Sequence, residues 1–465
     1  MSREFDAIII GAGQAGPPLA GRLTAAGRTV AVVERKLVGG TCVNYGCIPT
    51  KTLVASAHTA HVARRGADYG INTGDITVDM AKVKARKDEI MLGDRHGVES
   101  WLEGMAGCTL IRGHARFEGP HSIRVGDEVL TAPRIFLNVG GRATVPDIPG
   151  LADIDYLTNV GILDLDVLPE HLVVVGGSYI ALEFAQMYRR FGARVSVVQR
   201  GSRLTSREDE DVSAAIKDIL EAEGIDIHLD ATAMRIVKHD SDSQGAGSSG
   251  GFDLYPREGA DPIRGTHLLV ATGRTPNTDD LGLDVAGVTT DARGFIETDD
   301  QLRTNVDGIW AMGDCNGKGA FTHTSYNDFE IVAANLLDDD PRRVSDRITT
   351  YALYIDPPLG RAGMSVAEVR ASGRRALVGK RPMTRVGRAV EKGETHGFMK
   401  VLVDADTNEI LGASILGVGG DEVVQDILDV MTAGLPHTAI SRTMHIHPTV
   451  SELVPTMLQE LKPLT

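Results

Sequence analysis

Twice in this chain a short, β-branched run breaks at a cluster of glycines and continues as an Ala- and Leu-rich helical stretch. The first copy is Phe5-Asp6-Ala7-Ile8-Ile9-Ile10 followed by Gly11-Ala12-Gly13-Gln14-Ala15-Gly16, and the second is Leu172-Val173-Val174-Val175 followed by Gly176-Gly177-Ser178-Tyr179-Ile180-Ala181. Strand, glycine turn and helix in that order form a dinucleotide-binding unit, because residues without side chains let the backbone approach a pyrophosphate while the helix N-terminus offers N–H groups to it. Each copy leads into a second strand, Thr29 to Val33 and Arg194 to Val198. The first of these ends at Glu34, about twenty residues past the glycines, where a carboxylate accepts ribose hydroxyls. Gly11, Gly13, Gly16 and Glu34 are thus candidates for one dinucleotide, and Gly176 and Ser178 for another. Ser178 stands where a second glycine is usual, and its small hydroxyl can donate to phosphate.

A chain of 465 residues has room for about three domains. From about Pro341, strands at Phe398 to Val403 and Ile410 to Leu416 alternate with helices near Asp421 to Ala433 and Val450 to Leu461. The expected fold is α/β: two Rossmann-like dinucleotide-binding domains plus a C-terminal α+β domain. A Gly/Ser-rich stretch, Ser241 to Gly251, reads as a flexible hairpin tip inside the second unit. With 63 acidic against 48 basic residues and a formal charge of −15, no nucleic-acid partner is expected, since phosphate-backbone binding needs clustered Lys and Arg. No apolar run approaches the roughly 20 residues that span a bilayer, and Met1-Ser2-Arg3-Glu4 leads almost directly into a strand, so no membrane association and a cytoplasmic location are expected. Four cysteines are too few for a secreted disulfide framework, which makes any disulfide here catalytic rather than structural.

The most specific segment is Gly39-Gly40-Thr41-Cys42-Val43-Asn44-Tyr45-Gly46-Cys47-Ile48-Pro49-Thr50-Lys51. Two cysteines four residues apart, after a dinucleotide unit and bracketed by Gly and Pro, point to a redox pair. No second Cys/His pair at zinc-like spacing accompanies them, so no bound metal is expected. A dithiol holds two electrons, which suits it to relay the two-electron chemistry of a nicotinamide. A helix starting near Cys47-Ile48-Pro49 would favour thiolate.

In these motifs the chain resembles the class I pyridine nucleotide-disulfide oxidoreductases, the family of glutathione reductase, dihydrolipoyl dehydrogenase and mercuric ion reductase, over nearly its whole length. The resemblance implies FAD and NADPH or NADH as cofactors, with Cys47 the flavin-proximal sulfur and Cys42 the interchange sulfur that meets substrate. It implies a split FAD-binding domain of residues 1–150 and 276–340 that includes Thr41, a NAD(P)-binding domain of residues 151–275, and a dimerisation domain of residues 341–465. Lys51 would pair with Glu183 near the flavin, and Tyr179 would cover the nicotinamide pocket. Ala271-Thr272-Gly273-Arg274-Thr275-Pro276-Asn277 and Ile309-Trp310-Ala311-Met312-Gly313-Asp314 resemble two further family motifs, which bring Gly273 and Asp314 to the FAD. His447-Pro448-Thr449 with Glu452 resembles the acid–base pair that serves the neighbouring subunit, and so implies a homodimer whose active site is shared.

The acceptor class is a small-molecule disulfide or dithiol, or a metal ion. Ala57-His58-Thr59-Ala60-His61, Ser206-Arg207-Glu208-Asp209 and Asp356-Pro357-Pro358-Leu359-Gly360-Arg361-Ala362-Gly363-Met364 resemble the mercuric-reductase-like and reactive-chlorine-resistance, copper-reducing branch. Two differences from mercuric reductase stand beside this: His447 where those enzymes carry tyrosine, and an ending Lys462-Pro463-Leu464-Thr465 without paired cysteines. Dihydrolipoyl dehydrogenase-like dithiol oxidation is an alternative, and a flavin-binding redox sensor without turnover is a third. The second Rossmann strand ends at Gln199, where an NAD-preferring enzyme offers a carboxylate, and Arg200 and Arg203 follow as candidates for a 2′-phosphate. NADPH is the expected cofactor on that ground.

Overall fold

The computed structural model describes residues 2–239 and 251–464. The chain forms two compact units, Met1–Leu53 with Ala81–Thr144 and Gly273–Arg347, and Val54–Met80 with Val145–Thr272 and Ile348–Thr465.

The first unit is built on a five-stranded sheet ordered Ile309–Ala311, Ile135–Leu137, Ala7–Ile10, Val30–Glu34, Cys108–Arg112, with every pairing parallel. Parallel strands covered on both faces read as continuous apolar runs, and all four residues of Ala7–Ile10 are buried. The pleat divides them. Ile8 and Ile10 join Val33, Phe117 and Leu137 in one core, while Ile9 joins Leu19, Val32, Phe136 and Trp310 in the other. The helix α1, Gly16–Ala25, follows the first glycine turn and places Pro in its first turn, where a missing N–H costs nothing. Two further helices, α2 (Gly40–Tyr45) and α3 (Cys47–Arg64), carry the cysteine segment. The long helix α4 covers Met80–Glu103.

In the second unit, a parallel sheet runs Tyr156–Leu157, His267–Val270, His171–Val175, Arg194–Val198, Asp226–His228. Two helices follow its central strands, α5 at Tyr179–Phe191 and α6 at Glu210–Ala222. The sequence places the start of α5 near Leu182; the helix instead begins at Tyr179, because Ser178 is an extended N-cap residue at the end of the turn. The same unit holds a six-stranded antiparallel sheet, in which Phe398–Asp404 and Ile410–Leu416 are buried along their full length. Its core joins Met399, Val401 and Ile415 to Val424, Ile427 and Met457. The expected α/β fold with two Rossmann-like sheets and an α+β C-terminal part is the fold observed. The expected hairpin tip lies, but for Gly251, outside the described residues, and its flanks Arg235–Lys238 and Phe252–Tyr255 pair antiparallel.

Candidate active site

Cys42 and Cys47 are held by a turn that only glycines permit. Gly40 has φ +61°, and a Cβ there would lie 2.8 Å from Gly13 Cα, so the cysteine segment rests directly on the first glycine turn. Gly46 separates α2 from α3, and Cys47 becomes the first residue of α3. The Cys42 thiol is pushed well above the ordinary range, first by its hydrogen bond with Cys47 and then by burial. Cys42 is thereby favoured as a protonated thiol beside the second sulfur. Cys47 Sγ also lies 3.2 Å from Thr322 Oγ1. Between the cysteines, buried Asn44 donates to Val38 O and Gly40 O at 2.8 and 2.9 Å. Arg95 of α4 donates to Asn44 Oδ1 at 2.6 Å. A cavity of about 420 Å³ is lined by Cys42, Val43 and Ile48 together with Gly93, Gly97 and Trp101 of α4. Burial raises Cys108 to about 11 and Cys315 to about 12, so both stay protonated at neutral pH and are poor nucleophiles.

The first glycine turn fits the diphosphate of FAD. A Cβ at Gly11 would lie 2.2 Å from Asn138 O, one at Gly13 2.9 Å from Asn138 Oδ1, and one at Gly16 2.4 Å from Gly11 O. No side chain fits at any of the three, which keeps the backbone bare at a helix N-terminus with no side-chain cap. Asn138 accepts from Gly16 N at 3.2 Å and braces the turn. Glu34 accepts from Ala12 N at 2.9 Å and from Lys36 N at 2.7 Å, fixing its carboxylate at the strand end. Arg274 draws two expected FAD residues together, with Nε 3.1 Å from Asp314 Oδ2 and Nη2 3.4 Å from Thr41 Oγ1. Gly273 has φ +136° and its carbonyl accepts from Thr144 N at 2.9 Å. Lys51 sits half-buried in the second turn of α3.

The second glycine turn is equally tight. A Cβ at Gly176 would lie 2.3 Å from Ala271 O, and one at Gly177 would lie 2.9 Å from Gln199 Cγ. Ser178 uses no side-chain cap, which leaves its hydroxyl open to a ligand. Gln199 lies against Gly177 and reaches Arg203 O at 3.5 Å. Arg200 is exposed. Arg203 is held within its own loop, donating to Ser206 O at 2.9 Å and lying 3.7 Å from Glu210. Glu183 is buried and accepts from Tyr354 N at 3.0 Å, and Tyr179 donates its hydroxyl to Glu208 at 2.8 Å. His447 Nδ1 stands 2.8 Å from Glu452 Oε2, and the imidazole is 80% exposed. Asn138, Arg95, Thr322 and Glu208 had no place in the sequence-derived site. They are isolated polar residues far in sequence from what they touch, with no local spacing to mark them.

Two dinucleotide turns and a cysteine pair define an FAD- and NAD(P)H-dependent disulfide oxidoreductase. Residues 5–328 match the pyridine nucleotide-disulphide oxidoreductase family, and residues 349–458 match that family's dimerisation domain, so the chain belongs to this family. It is 36% identical over 457 residues to the probable pyridine nucleotide-disulfide oxidoreductase RclA of Escherichia coli, covering 97% of each chain. It is 33% identical to mercuric reductase of Streptomyces lividans, covering 96% of this chain and 94% of that one, and 32% identical to dihydrolipoyl dehydrogenase of Cupriavidus necator, covering 98% and 97%. Among solved structures, the Cu(II) complex of the HOCl-induced flavoprotein disulfide reductase RclA from Escherichia coli superposes with a TM-score of 0.88 at 35% identity, covering 98% of this chain and 99% of that one. The chain is therefore a flavoprotein oxidoreductase with a dimerisation domain that supports a homodimer, and the reading as a sensor without turnover is set aside. No helix among the described residues is long and apolar enough to cross a membrane.

Proposed function

We propose that this enzyme uses NADPH to reduce a soft metal ion or a disulfide through Cys42 and Cys47, and that the hydrogen-bonded pair beside the 420 Å³ cavity carries the reading. FAD, when bound, would supply the two-electron chemistry that links the nicotinamide to the cysteine disulfide. Residues 1–150 and 276–340 hold it, residues 151–275 hold the nicotinamide, and residues 341–465 dimerise. Gly11, Gly13, Gly16, Glu34, Thr41, Gly273 and Asp314 bind FAD. Lys51 and Glu183 pair beside it. Gly176, Ser178, Gln199, Arg200 and Arg203 bind NADPH, and Tyr179 covers the nicotinamide place until the cofactor arrives.

Cys42 faces the acceptor. With a disulfide, its thiolate attacks one sulfur, the mixed disulfide forms, and Cys47 displaces the second thiol. With a metal, two Cu(II) ions become two Cu(I), or one Hg(II) becomes Hg(0), as the dithiol loses two electrons and two protons to re-form the disulfide. His447 of the partner subunit, held by that subunit's Glu452, manages the Cys42 proton. Hg(II) and the Cu(I) product are soft thiophiles, and the likeness to a Cu(II)-bound reductase and to mercuric reductase supports this class. A cytoplasmic setting, where NADPH is supplied, completes the reading.

The test is NADPH consumption by the FAD-loaded enzyme with Cu(II), Hg(II), a panel of disulfides, and lipoamide. Turnover with a metal or a disulfide that disappears in Cys42→Ser and Cys47→Ser, with FAD content unchanged, is expected. Undiminished turnover in either variant would remove the pair from the mechanism.

A further inference from the structure

Tyr179 is the first residue of α5, directly after the second glycine turn. Its hydroxyl donates to Glu208 Oε1 at 2.8 Å, and the hydroxyl of Tyr351 donates to the same oxygen at 2.7 Å. The two rings lie 5.5 Å apart. Glu208 has a side-chain exposure of 0%, and its Oε2 has no hydrogen-bond partner among the described residues. Arg361 Nε stands 3.8 Å from Oε2, beyond hydrogen-bond distance, while Nη1 of the same side chain donates to Ala413 O and Ser414 Oγ. A buried carboxylate with both of its hydrogen bonds on one oxygen is held below its capacity. Burial first, then the Glu208 charge, raises Tyr351 to about 12 and Tyr179 further, so both phenols are donors at neutral pH.

The loop bearing Glu208 is tied to the same turn. Thr205 N donates to Gly177 O at 2.7 Å, and Glu208 N donates to Thr205 O at 2.7 Å. Thr205 has φ +41°, a conformation that a β-branched residue adopts only where its surroundings impose it. Arg203 lies on this loop too. The group that would recognise a 2′-phosphate and the group that holds Tyr179 are therefore carried on one short segment.

We propose that Glu208, kept in place by Tyr351, is a latch on Tyr179: the two are positioning residues that set how readily the ring gives way to the nicotinamide, and so the affinity for NADP(H). The inference rests on the reading that Tyr179 covers the nicotinamide place. When Tyr179 leaves, Glu208 keeps the Tyr351 bond and is not stripped of partners. Two donors on one oxygen each bind it less firmly than one alone, so Tyr351 also lowers the cost of opening.

The two tyrosines therefore have opposite expected effects on the FAD-loaded dimer. Tyr179→Phe removes the latch bond, and NADP⁺ should bind about 3- to 10-fold tighter by calorimetry, the scale of one hydrogen bond to a charged group moderated by a shared acceptor. Tyr351→Phe leaves Tyr179 as the sole donor to Glu208, and NADP⁺ should bind about 3- to 10-fold more weakly. In the double variant Tyr351→Phe should add nothing to Tyr179→Phe. The limiting rate of flavin reduction at saturating NADPH should stay unchanged in Tyr351→Phe. A shift of the same sign in both single variants, or additive effects in the double, would overturn the latch, since general loosening of the fold moves both alike. Tyr179→Ala separates the two ideas: unchanged NADP⁺ affinity there overturns the covering role itself, whereas a changed affinity with silent Phe variants overturns the latch alone.

Discussion

Arg95 on α4 donates through Nε to Asn44 Oδ1 at 2.6 Å, and Asn44 lies between the two redox cysteines. The amide's other end is spent on Val38 O and Gly40 O. Asn44 is only 2% exposed, so its amide relies on these protein partners. The long helix thus braces the cysteine segment from outside it.

Removing that brace should free the segment before it affects the fold. A hydrogen bond to a charged group contributes about 1.5–3 kcal/mol, so Arg95→Ala should raise the population of opened segment by about 10-fold or more. The measurement is the alkylation rate of Cys42 in the NADPH-reduced enzyme, with FAD content as control. An alkylation rate equal to wild type would show that Asn44 holds the segment without Arg95.

What the sequence makes legible is local. Both glycine turns and the cysteine segment are legible because the residues that mark them lie within six positions of one another, and their spacing is the signal. The start of α5 is misplaced because Ser178 reads as an imperfect glycine, whereas in the fold it is the extended residue from which the helix starts. The last helix is expected from Val450 but begins at Leu453, since Thr449 Oγ1 donates to Ile446 O and accepts from Glu452 N, closing a turn first. The supporting residues leave no trace in spacing: Asn138 meets Gly16 across 122 positions, and Arg274 meets Thr41 across 233. Only the pleat and the sheet order bring them together.

Nicotinamide choice should turn on Gln199. Its side chain already lies against Gly177, and it donates to Arg203 O. Gln199→Glu places a charge there that repels a 2′-phosphate and accepts from a free ribose hydroxyl. The preference for NADPH over NADH in kcat/KM should fall by about 1.5–3 kcal/mol, the range of charged hydrogen bonds. An unchanged ratio in steady-state kinetics would place Gln199 away from the ribose.

A charge cluster makes stability depend on pH. Asp356 is bonded to His58 Nδ1 at 2.8 Å and to Arg190 Nη1 at 2.6 Å, and Arg190 also meets Glu223 at 2.7 Å. Burial alone would raise the Asp356 carboxyl, but His58 and Arg190 outweigh it and hold it well below the usual carboxylate range. The bond to Asp356 raises His58 against the opposing effect of its own burial. A raised histidine contributes fully below its unfolded pKa, about 6.5, and loses that contribution as pH rises through its folded value. A lowered carboxylate contributes above about 3.9 and loses its share as pH falls through its folded value. Stability from this cluster is therefore greatest between those limits. His58 is 47% exposed, so screening leaves its share below about 1 kcal/mol, and His58→Gln should flatten the decline above pH 6.5 in denaturant unfolding. Arg190, only 6% exposed, is different: Arg190→Ala leaves Asp356 without its main counter-charge and should cost about 3–5 kcal/mol. Equal, small losses in both variants would contradict this ranking.

His447 donates its Nδ1 proton to Glu452, so the Nε2 lone pair is turned outward on a ring that is 80% exposed within its own chain. An imidazole fixed in tautomer and left open to solvent is suited to take a proton from a thiol that another subunit presents. General acid–base help of this kind is worth about 10²–10⁴-fold, and His447→Ala should slow turnover with a disulfide or dithiol by that order. Flavin reduction by NADPH, which needs no proton from Cys42, should proceed at its normal rate, and the two half-reactions can be followed separately by stopped flow. Glu452→Gln keeps a hydrogen-bond acceptor but loses the charge, so its effect should be smaller than that of His447→Ala. Subunit mixing then tests whether the site is shared. A heterodimer of Cys42→Ser and His447→Ala subunits has one site with both wild-type residues only if His447 acts across the interface, and it should regain up to half of wild-type activity. If each residue serves its own subunit, both sites are defective and no activity returns, so verified heterodimers without recovered disulfide turnover would refute the shared site.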